Sequence, residues 1–324
     1  MLRSRVLGTG SYAPKKVVTN FDLEGIVDTT DAWIATRTGI RERRVSVTGG
    51  ATQMAVKAGK AALKSSDVNP KDIDLIVVGT VTPEMTFPST ACFVQAELGL
   101  CPGAPAFDVS AACSGFLFAL DAADRYIRTG GAKKALVIGV DQFSRIVDWS
   151  DRATCVLFGD GAGAVVLSGE KGNHGLLSSH THSDGRGWEM LYAPSPVQPS
   201  RFEEKCAEKP YLKMNGNETF KIAVRTMEEA VKEALASSGL DSDDISLFIP
   251  HQANMRIIKA MKERMNLPDE KVVMNLEKYG NTSAGSIPLA LDEAVKGGRV
   301  KKGDIILFVA FGGGLTWASA VLRW

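Results

Sequence analysis

Three residues stand out by type and by local setting: a cysteine, a histidine and an asparagine. Cys113 follows a short strand pattern, Ala106 to Val109, and precedes a run whose apolar residues Phe116, Leu117, Leu120, Ala123 and Ile127 keep helical spacing. A thiol at a helix N-terminus meets the positive end of the dipole and unpaired N–H groups, which favour the thiolate and make it nucleophilic near neutral pH. The plainer reading is a buried structural thiol, the commoner fate of a free cysteine. The chain has only four histidines. His174, His180 and His182 lie in a polar stretch before Asp184-Gly185 that reads as a loop, whereas His251 ends an apolar strand and is followed by Gln252-Ala253-Asn254. Strand C-termini are where sites assemble in open α/β sheets. Asn281 opens a small-residue turn, Asn281-Thr282-Ser283-Ala284-Gly285-Ser286, that runs into a helix. By itself it is an ordinary N-cap. Gly312-Gly313-Gly314 follows an apolar strand. It is either a tight hairpin or a place where a backbone N–H reaches a ligand and, with the N–H of Cys113, forms an oxyanion hole. A nucleophilic thiol with such donors around it does acyl transfer.

These residues are far apart in the chain, so the elements between them decide whether they meet. An internal duplication supplies a way. Ala62-Leu63-Lys64-Ser65-Ser66 with Asp72-Ile73-Asp74-Leu75-Ile76-Val77 is echoed by Ala234-Leu235-Ala236-Ser237-Ser238 with Asp244-Ile245-Ser246-Leu247-Phe248-Ile249, and Asp72 and Asp244 are 172 residues apart. Ser114-Gly115 echoes Ala284-Gly285, and Lys133-Lys134-Ala135-Leu136-Val137-Ile138 echoes Lys301-Lys302 with Ile305-Ile306-Leu307-Phe308, at offsets close to 170. The first copy predicts a helix over 51–65, a strand over 75–80, a helix over 114–129 and a strand over 135–140. The second predicts a helix over 218–237, a strand over 247–250, a helix over 286–296 and a strand over 305–310. Wholly apolar strands alternating with helices indicate parallel-rich sheets covered on both faces. Two such halves pack by sharing a central helical layer, an α/β five-layer α-β-α-β-α sandwich of two pseudo-repeated halves. The halves are expected at residues 1–172, carrying Cys113, and 173–324, carrying His251 and Asn281, with the join near Gly169 to Gly175. In that frame His251 is the second-half counterpart of the strand end near Gly79. The Pro-rich stretch 193–210 is expected to be a surface excursion.

Bulk properties narrow the function classes. With 324 residues and 44% hydrophobic side chains the chain buries two ordinary cores or one large one. Lys and Arg total 38 against 37 Asp and Glu, so a net charge of +1 provides no overall field for nucleic acid or anionic membrane. The longest apolar stretches fall far short of the ~20 residues that a membrane span needs. The N-terminus shows no apolar leader pattern, which leads to the expectation of a cytosolic protein. Five cysteines without a Cys-x-x-Cys pair argue against a disulfide framework or a zinc site, so the thiols are expected to be free.

The segments Ala112-Cys113-Ser114-Gly115-Phe116, His251-Gln252-Ala253-Asn254, Tyr279-Gly280-Asn281-Thr282-Ser283-Ala284-Gly285-Ser286 and Phe311-Gly312-Gly313-Gly314 together resemble the signatures of β-ketoacyl-acyl carrier protein synthase III, a thiolase-fold family of initiating condensing enzymes. The likeness covers nearly the whole chain in order. It implies that Cys113 takes an acyl group from acyl-CoA, that malonyl-acyl carrier protein then binds and loses carbon dioxide, and that the carbanion attacks the acyl-cysteine to give a 3-oxoacyl-acyl carrier protein. It further implies that His251 and Asn281 hydrogen-bond the enolate oxygen, and that the N–H groups of Cys113 and Gly314 meet the second oxyanion. Trp33, Arg37, Arg152 and Asn254 match positions that contact CoA or its pantetheine arm, and Phe87 one that bounds the acyl pocket. Lys221, Arg256 and Lys259 match a basic patch for the acidic carrier protein. The resemblance implies a homodimer that needs neither metal nor redox cofactor, acyl-CoA being a substrate.

Rival readings are weaker on the residues. Gly8-Thr9-Gly10-Ser11-Tyr12-Ala13 fits a dinucleotide fingerprint, but Pro14 follows at once and no amphipathic helix does. Gly159-Asp160-Gly161-Ala162-Gly163 reads as a turn between strands. His180, His182 and Asp184 could ligate a metal, although a hydrogen-bonded polar loop fits better. A degradative thiolase would carry a second cysteine near the glycine-rich end, and none follows Cys206. A specialised-metabolite condensing enzyme with other acyl donors, a non-catalytic acyl-binding protein and a Cys-His-Asn hydrolase stay open at this point.

Overall fold

The computed structural model describes residues 2–194 and 209–324. Most of the Pro-rich stretch, and with it Cys206, lies outside the described residues. In chain order the strands are β1 (Leu2–Tyr12), β2 (Lys16–Thr19), β3 (Glu42–Val45), β4 (Leu75–Gly79), β5 (Ala106–Val109), β6 (Lys134–Gln142), β7 (Asp160–Lys171), β8 (Gly175–Ser183), β9 (Leu191–Tyr192), β10 (Lys213–Met214), β11 (Leu247–Pro250), β12 (Ile305–Gly312) and β13 (Thr316–Arg323). The α-helices are α1 (Asn20–Glu24), α2 (Asp31–Thr38), α3 (Ala51–Ser66), α4 (Thr90–Glu97), α5 (Gly115–Arg128), α6 (Arg152–Cys155), α7 (Gly216–Ser238), α8 (Met255–Arg264), α9 (Leu276–Tyr279) and α10 (Ser286–Lys296).

Two large sheets organise the molecule, one in the order β1-β7-β6-β4-β5 and the other in the order β11-β12-β13-β8. The chain crosses from one to the other between Lys171 and Gly175. The sheets repeat one plan. β4 runs parallel to β6, and β7 and then β1 follow antiparallel; β11 runs parallel to β12, and β13 and then β8 follow antiparallel. The counterpart of β5 has shrunk to a single parallel bridge, Phe248 to Val272.

Side-chain alternation builds the layers. Leu75 and Val77 of β4, with Ile306, Phe308 and Ala310 of β12, point to the middle, where they bury α5 and α10 between the sheets. Ile76 and Val78 point the other way, onto α3. Leu307 and Val309 point outward onto α7 and α8. The result is the expected α-β-α-β-α sandwich. Because both faces are covered, these strands have no polar side, and fully burying a side chain such as Ile306 or Phe308 contributes about 1.5–3 kcal/mol.

Backbone geometry sharpens the duplication. Ala112 and Ser283, 171 residues apart, both hold left-handed φ values, +45° and +50°. Each opens a single 3₁₀ turn, Ala112–Ser114 or Ser283–Gly285, that feeds a central helix. The sequence pairing of Ser114-Gly115 with Ala284-Gly285 is therefore one residue out of register: Cys113 is the counterpart of Ala284. Two other readings are corrected. Gly159-Asp160-Gly161-Ala162-Gly163 opens strand β7 rather than forming a turn, and its glycines let α10 approach: a Cβ on Gly163 would come 2.4 Å from the backbone nitrogen of Leu289. His180 and His182 lie on β8, an edge strand, and both contact the Glu233 carboxylate on α7, while Asp184 pairs with Arg186. The apparent dinucleotide fingerprint lies inside β1, where a Cβ on Gly10 would come 2.2 Å from the backbone nitrogen of Ala62 in α3.

Candidate active site

Cys113, His251 and Asn281 line one cavity of about 690 Å³. Each is brought there by a chain end of the duplicated plan. The 3₁₀ turn after β5 delivers Cys113, the C-terminus of β11 delivers His251, and the segment before the matching turn of the second half delivers Asn281. The close approach at Cys113 depends on the hairpin after β12: a Cβ on Gly312 would come 2.7 Å from the Cys113 backbone nitrogen. That puts Gly312 against the cysteine backbone. Gly313 and Gly314 line a second, largely apolar cavity of about 400 Å³ that also reaches Cys113, with Val81, Phe143, Phe158, Leu191 and Leu212 in its wall.

Asn281 is clamped by the first half. Its N–H donates to the Leu157 carbonyl at 2.8 Å and its carbonyl accepts from the Gly159 N–H at 3.0 Å. The side-chain Oδ1 accepts from the Ser283 N–H at 2.8 Å, which leaves the amide NH₂ as the group facing the thiol. It is thus an Asx-type turn, not the helix cap that the pattern allowed. His251 is held from behind. Ser286 Oγ sits 2.6 Å from Nδ1 and also accepts from the Gln252 N–H at 3.4 Å. When the Ser286 hydroxyl donates to Nδ1, Nε2 carries the ring hydrogen and is the donor toward the cavity. The Gln252 side chain locks the loop by donating to the carbonyls of Pro250 and Val273 and accepting from the Asn275 N–H.

Burial dominates the electrostatics. It pushes the imidazole of His251 down to about 3, so the ring is neutral across ordinary pH. It also pushes the Cys113 thiol up to about 12, with Ser283 and Asn281 pulling the other way. Burial thus acts on the Cys113 sulfur in the direction opposite to that expected from the helix end.

The cavity opens toward Trp33 and Arg37, with Asn254, Arg256 and Lys221 also in its lining. Arg37 and Arg152 flank the Trp33 ring at 4.5 and 4.9 Å, and Arg152 donates to the Asp28 carbonyl at 2.8 Å. Asn254 caps α8, its Oδ1 accepting from the Arg256 N–H at 2.8 Å. Lys221 pairs with Glu218, and Arg256 packs over Phe220. Lys259 lies outside the cavity lining, exposed on α8 one turn beyond Arg256. Phe87 is not brought to the site of its own chain: it is 83% exposed and lines neither cavity. Ser286, Gln252 and Ser283 were in plain view within the motifs, but no sequence signal assigns them as supports. Among the described residues no group of three or more His, Cys, Asp or Glu side chains could hold a metal ion, and no helix is long and apolar enough to cross a membrane.

A family model described as 3-oxoacyl-[acyl-carrier-protein (ACP)] synthase III matches residues 107–185, and the model of its C-terminal part matches residues 235–324. A β-ketoacyl-[acyl-carrier-protein] synthase III of Aquifex aeolicus is 52% identical over 321 residues, covering 99% of both chains. One of Alkalilimnicola ehrlichii is 52% identical over 326 residues and covers 100% of both. The crystal structure of the A. aeolicus protein superposes with a TM-score of 0.93, over 99% of this chain and 100% of that one.

Proposed function

This chain belongs to the β-ketoacyl-[acyl-carrier-protein] synthase III family and is an acyltransferase, and from that premise we propose how its own residues carry the initiating condensation of fatty acid synthesis. The observation that supports the reading is the convergence of Cys113, His251 and Asn281 on one cavity whose mouth carries Trp33 and Arg37.

The Cys113 sulfur attacks the carbonyl of a short acyl-CoA. The thiol proton leaves the sulfur and the departing CoA thiolate takes up a proton, so the step is neutral overall. The acyl chain enters the apolar cavity on the Phe143–Phe158 side, where those two rings stack at 4.8 Å. CoA lies along the other cavity, its adenine on Trp33 and its phosphates at Arg37 and Arg152, because an indole stacks and guanidinium forks bind phosphate; Asn254 lines the route of the pantetheine arm. Malonyl-acyl carrier protein then replaces CoA, its acidic surface meeting Lys221, Arg256 and Lys259. Loss of carbon dioxide leaves its electron pair in an enolate, whose oxygen receives hydrogen bonds from His251 Nε2 and the Asn281 amide. Donors that act on charge developing only in the transition state raise kcat, each contributing about 3–4 kcal/mol. The carbanion attacks the acyl-cysteine carbonyl. The oxyanion is met by the N–H groups of Cys113 and Gly314, with Gly312 setting the approach, and collapse expels the Cys113 thiolate, which regains a proton.

The homodimer is part of this proposal. The outer edge of β5 is unpaired among the described residues, and Met85 and Phe87, between β4 and α4, are exposed at 53% and 83%. An open edge with exposed apolar side chains suits pairing with a second copy, and Phe87 would then bound the partner's acyl cavity rather than its own. We place the enzyme in the cytoplasm on family membership.

Intact mass after incubation with acetyl-CoA tests the reading: one acetyl group is expected on the wild type and none on Cys113→Ala. Adding malonyl-acyl carrier protein should then clear the acetyl group as a 3-oxobutyryl thioester. An unacylated chain, or release of free acetate as the main product, overturns it.

A further inference from the structure

The buried carboxylate of Asp141 takes part in none of these steps. It lies near the end of β6, is 0% exposed, and divides its two oxygens between the halves of the chain. Oδ1 accepts from the Val81 N–H at 2.8 Å, the Thr82 hydroxyl at 2.9 Å and the Thr80 hydroxyl at 3.1 Å. Oδ2 accepts from the Ala284 N–H at 3.2 Å. Val81 lines the apolar cavity beside Cys113, and Ala284 belongs to the turn that follows Asn281. The Ser283 hydroxyl, fully buried on its left-handed backbone, faces both this carboxylate and the Cys113 thiol and makes no well-formed hydrogen bond to either.

We propose that Asp141 is a positioning residue for the condensation: by binding Val81 and Ala284 at once it fixes the acyl-side wall relative to the Asn281 turn. The inference rests on the reading of Cys113 and Asn281 given above. A carboxylate beside a thiol opposes the thiolate, whereas a hydroxyl donor such as Ser283 supports it. The two neighbours therefore act on the sulfur with opposite sign. The other titratable groups in this region are Asp160, which feels Asp141, and His251 across the cavity from Cys113; Arg37, Glu218, Lys221 and Arg256 line the cavity farther out. All the hydrogen-bond donors to Asp141 are neutral, and burial pushes its carboxyl above the usual carboxylate range against them.

The test reads alkylation of Cys113 by iodoacetamide as a function of pH, followed by intact mass, in Asp141→Asn and Ser283→Ala. Asp141→Asn is expected to lower the midpoint of the alkylation profile, because a negative charge has left the sulfur. Ser283→Ala is expected to raise it, because a donor has been lost. Asp141→Asn should also lower the condensation kcat at least tenfold while KM for acyl-CoA stays within twofold, since the Trp33 end is untouched. Midpoints that stay put or move together, or a folded Asp141→Asn that condenses at the wild-type rate, overturn the proposal. If Asp141→Asn does not fold, Thr82→Val, which removes a hydroxyl donor to Oδ1, decides: a condensation kcat at the wild-type value refutes the proposal. Alkylation needs no malonyl substrate, so failure of the condensation reading leaves this result interpretable by itself.

Discussion

Replacing Ser286 with alanine removes one hydroxyl from the back of the His251 ring and touches nothing else in the cavity lining. In the wild type that hydroxyl lies 2.6 Å from Nδ1, with both residues buried, and it is oriented by the Gln252 N–H. Its loss has two effects. A buried ring nitrogen left without a partner costs about 1–3 kcal/mol of stability. The preference for the tautomer with hydrogen on Nε2 also disappears, and a ring carrying its hydrogen on Nδ1 presents an acceptor where the enolate needs a donor. A neutral hydrogen bond contributes about 0.5–1.5 kcal/mol net, so decarboxylation should slow by about 2- to 13-fold. That is well short of His251→Ala, which deletes the donor itself and should cost about 10²–10³-fold. Acylation of Cys113 does not use the enolate donors and should stay within about twofold. Release of labelled carbon dioxide from malonyl-acyl carrier protein measures the first rate, and intact mass after a pulse of acetyl-CoA measures the second. A Ser286→Ala protein that decarboxylates at the wild-type rate, or loses acylation and decarboxylation in equal measure, refutes the tautomer argument.

Trp33→Ala should raise KM for acyl-CoA about tenfold with kcat nearly unchanged, since a stacked base contributes about 1–3 kcal/mol and the ring stands at the mouth of the cavity rather than at the sulfur; initial rates over a range of acyl-CoA check it. Gly139→Ala should lose several kcal/mol in denaturant melts, because the added methyl would come 2.1 Å from the Ala284 carbonyl oxygen and push the Asn281 turn off β6. Acid should weaken the fold through His251. Its folded pKa is about 3 against about 6.5 unfolded, so between those values the unfolded chain binds the extra proton and stability falls with falling pH, by about 1.4 kcal/mol per unit. Urea titrations at pH 7 and pH 5 should show a shallower loss in His251→Gln than in the wild type, and equal slopes would remove His251 from the account.

Legibility followed physical redundancy. Strands buried on both faces must be apolar throughout, so Leu75 to Gly79 and Ile305 to Gly312 announced themselves, as did the helices whose apolar stripes face the middle layer. β8 did not: an edge strand carrying His180 and His182 has a polar face and reads like a loop. The opening of β7 was hidden for a different reason, because glycines that serve close packing against α10 look the same in a sequence as glycines that serve a turn.

For the site, residue type and order along the chain put Cys113, His251 and Asn281 forward as candidates, and they line one cavity because the duplication places turn against turn and strand end against strand end. Order alone does not set the environment of an atom. That burial acts to push the thiol up, that Gly312 lies against the Cys113 backbone, that Phe87 is exposed and lines neither cavity of its own chain, and that Asp141 joins both halves were decided only by tertiary packing. Desolvation and close approach depend on atoms contributed by segments more than a hundred residues away, and no local pattern encodes them.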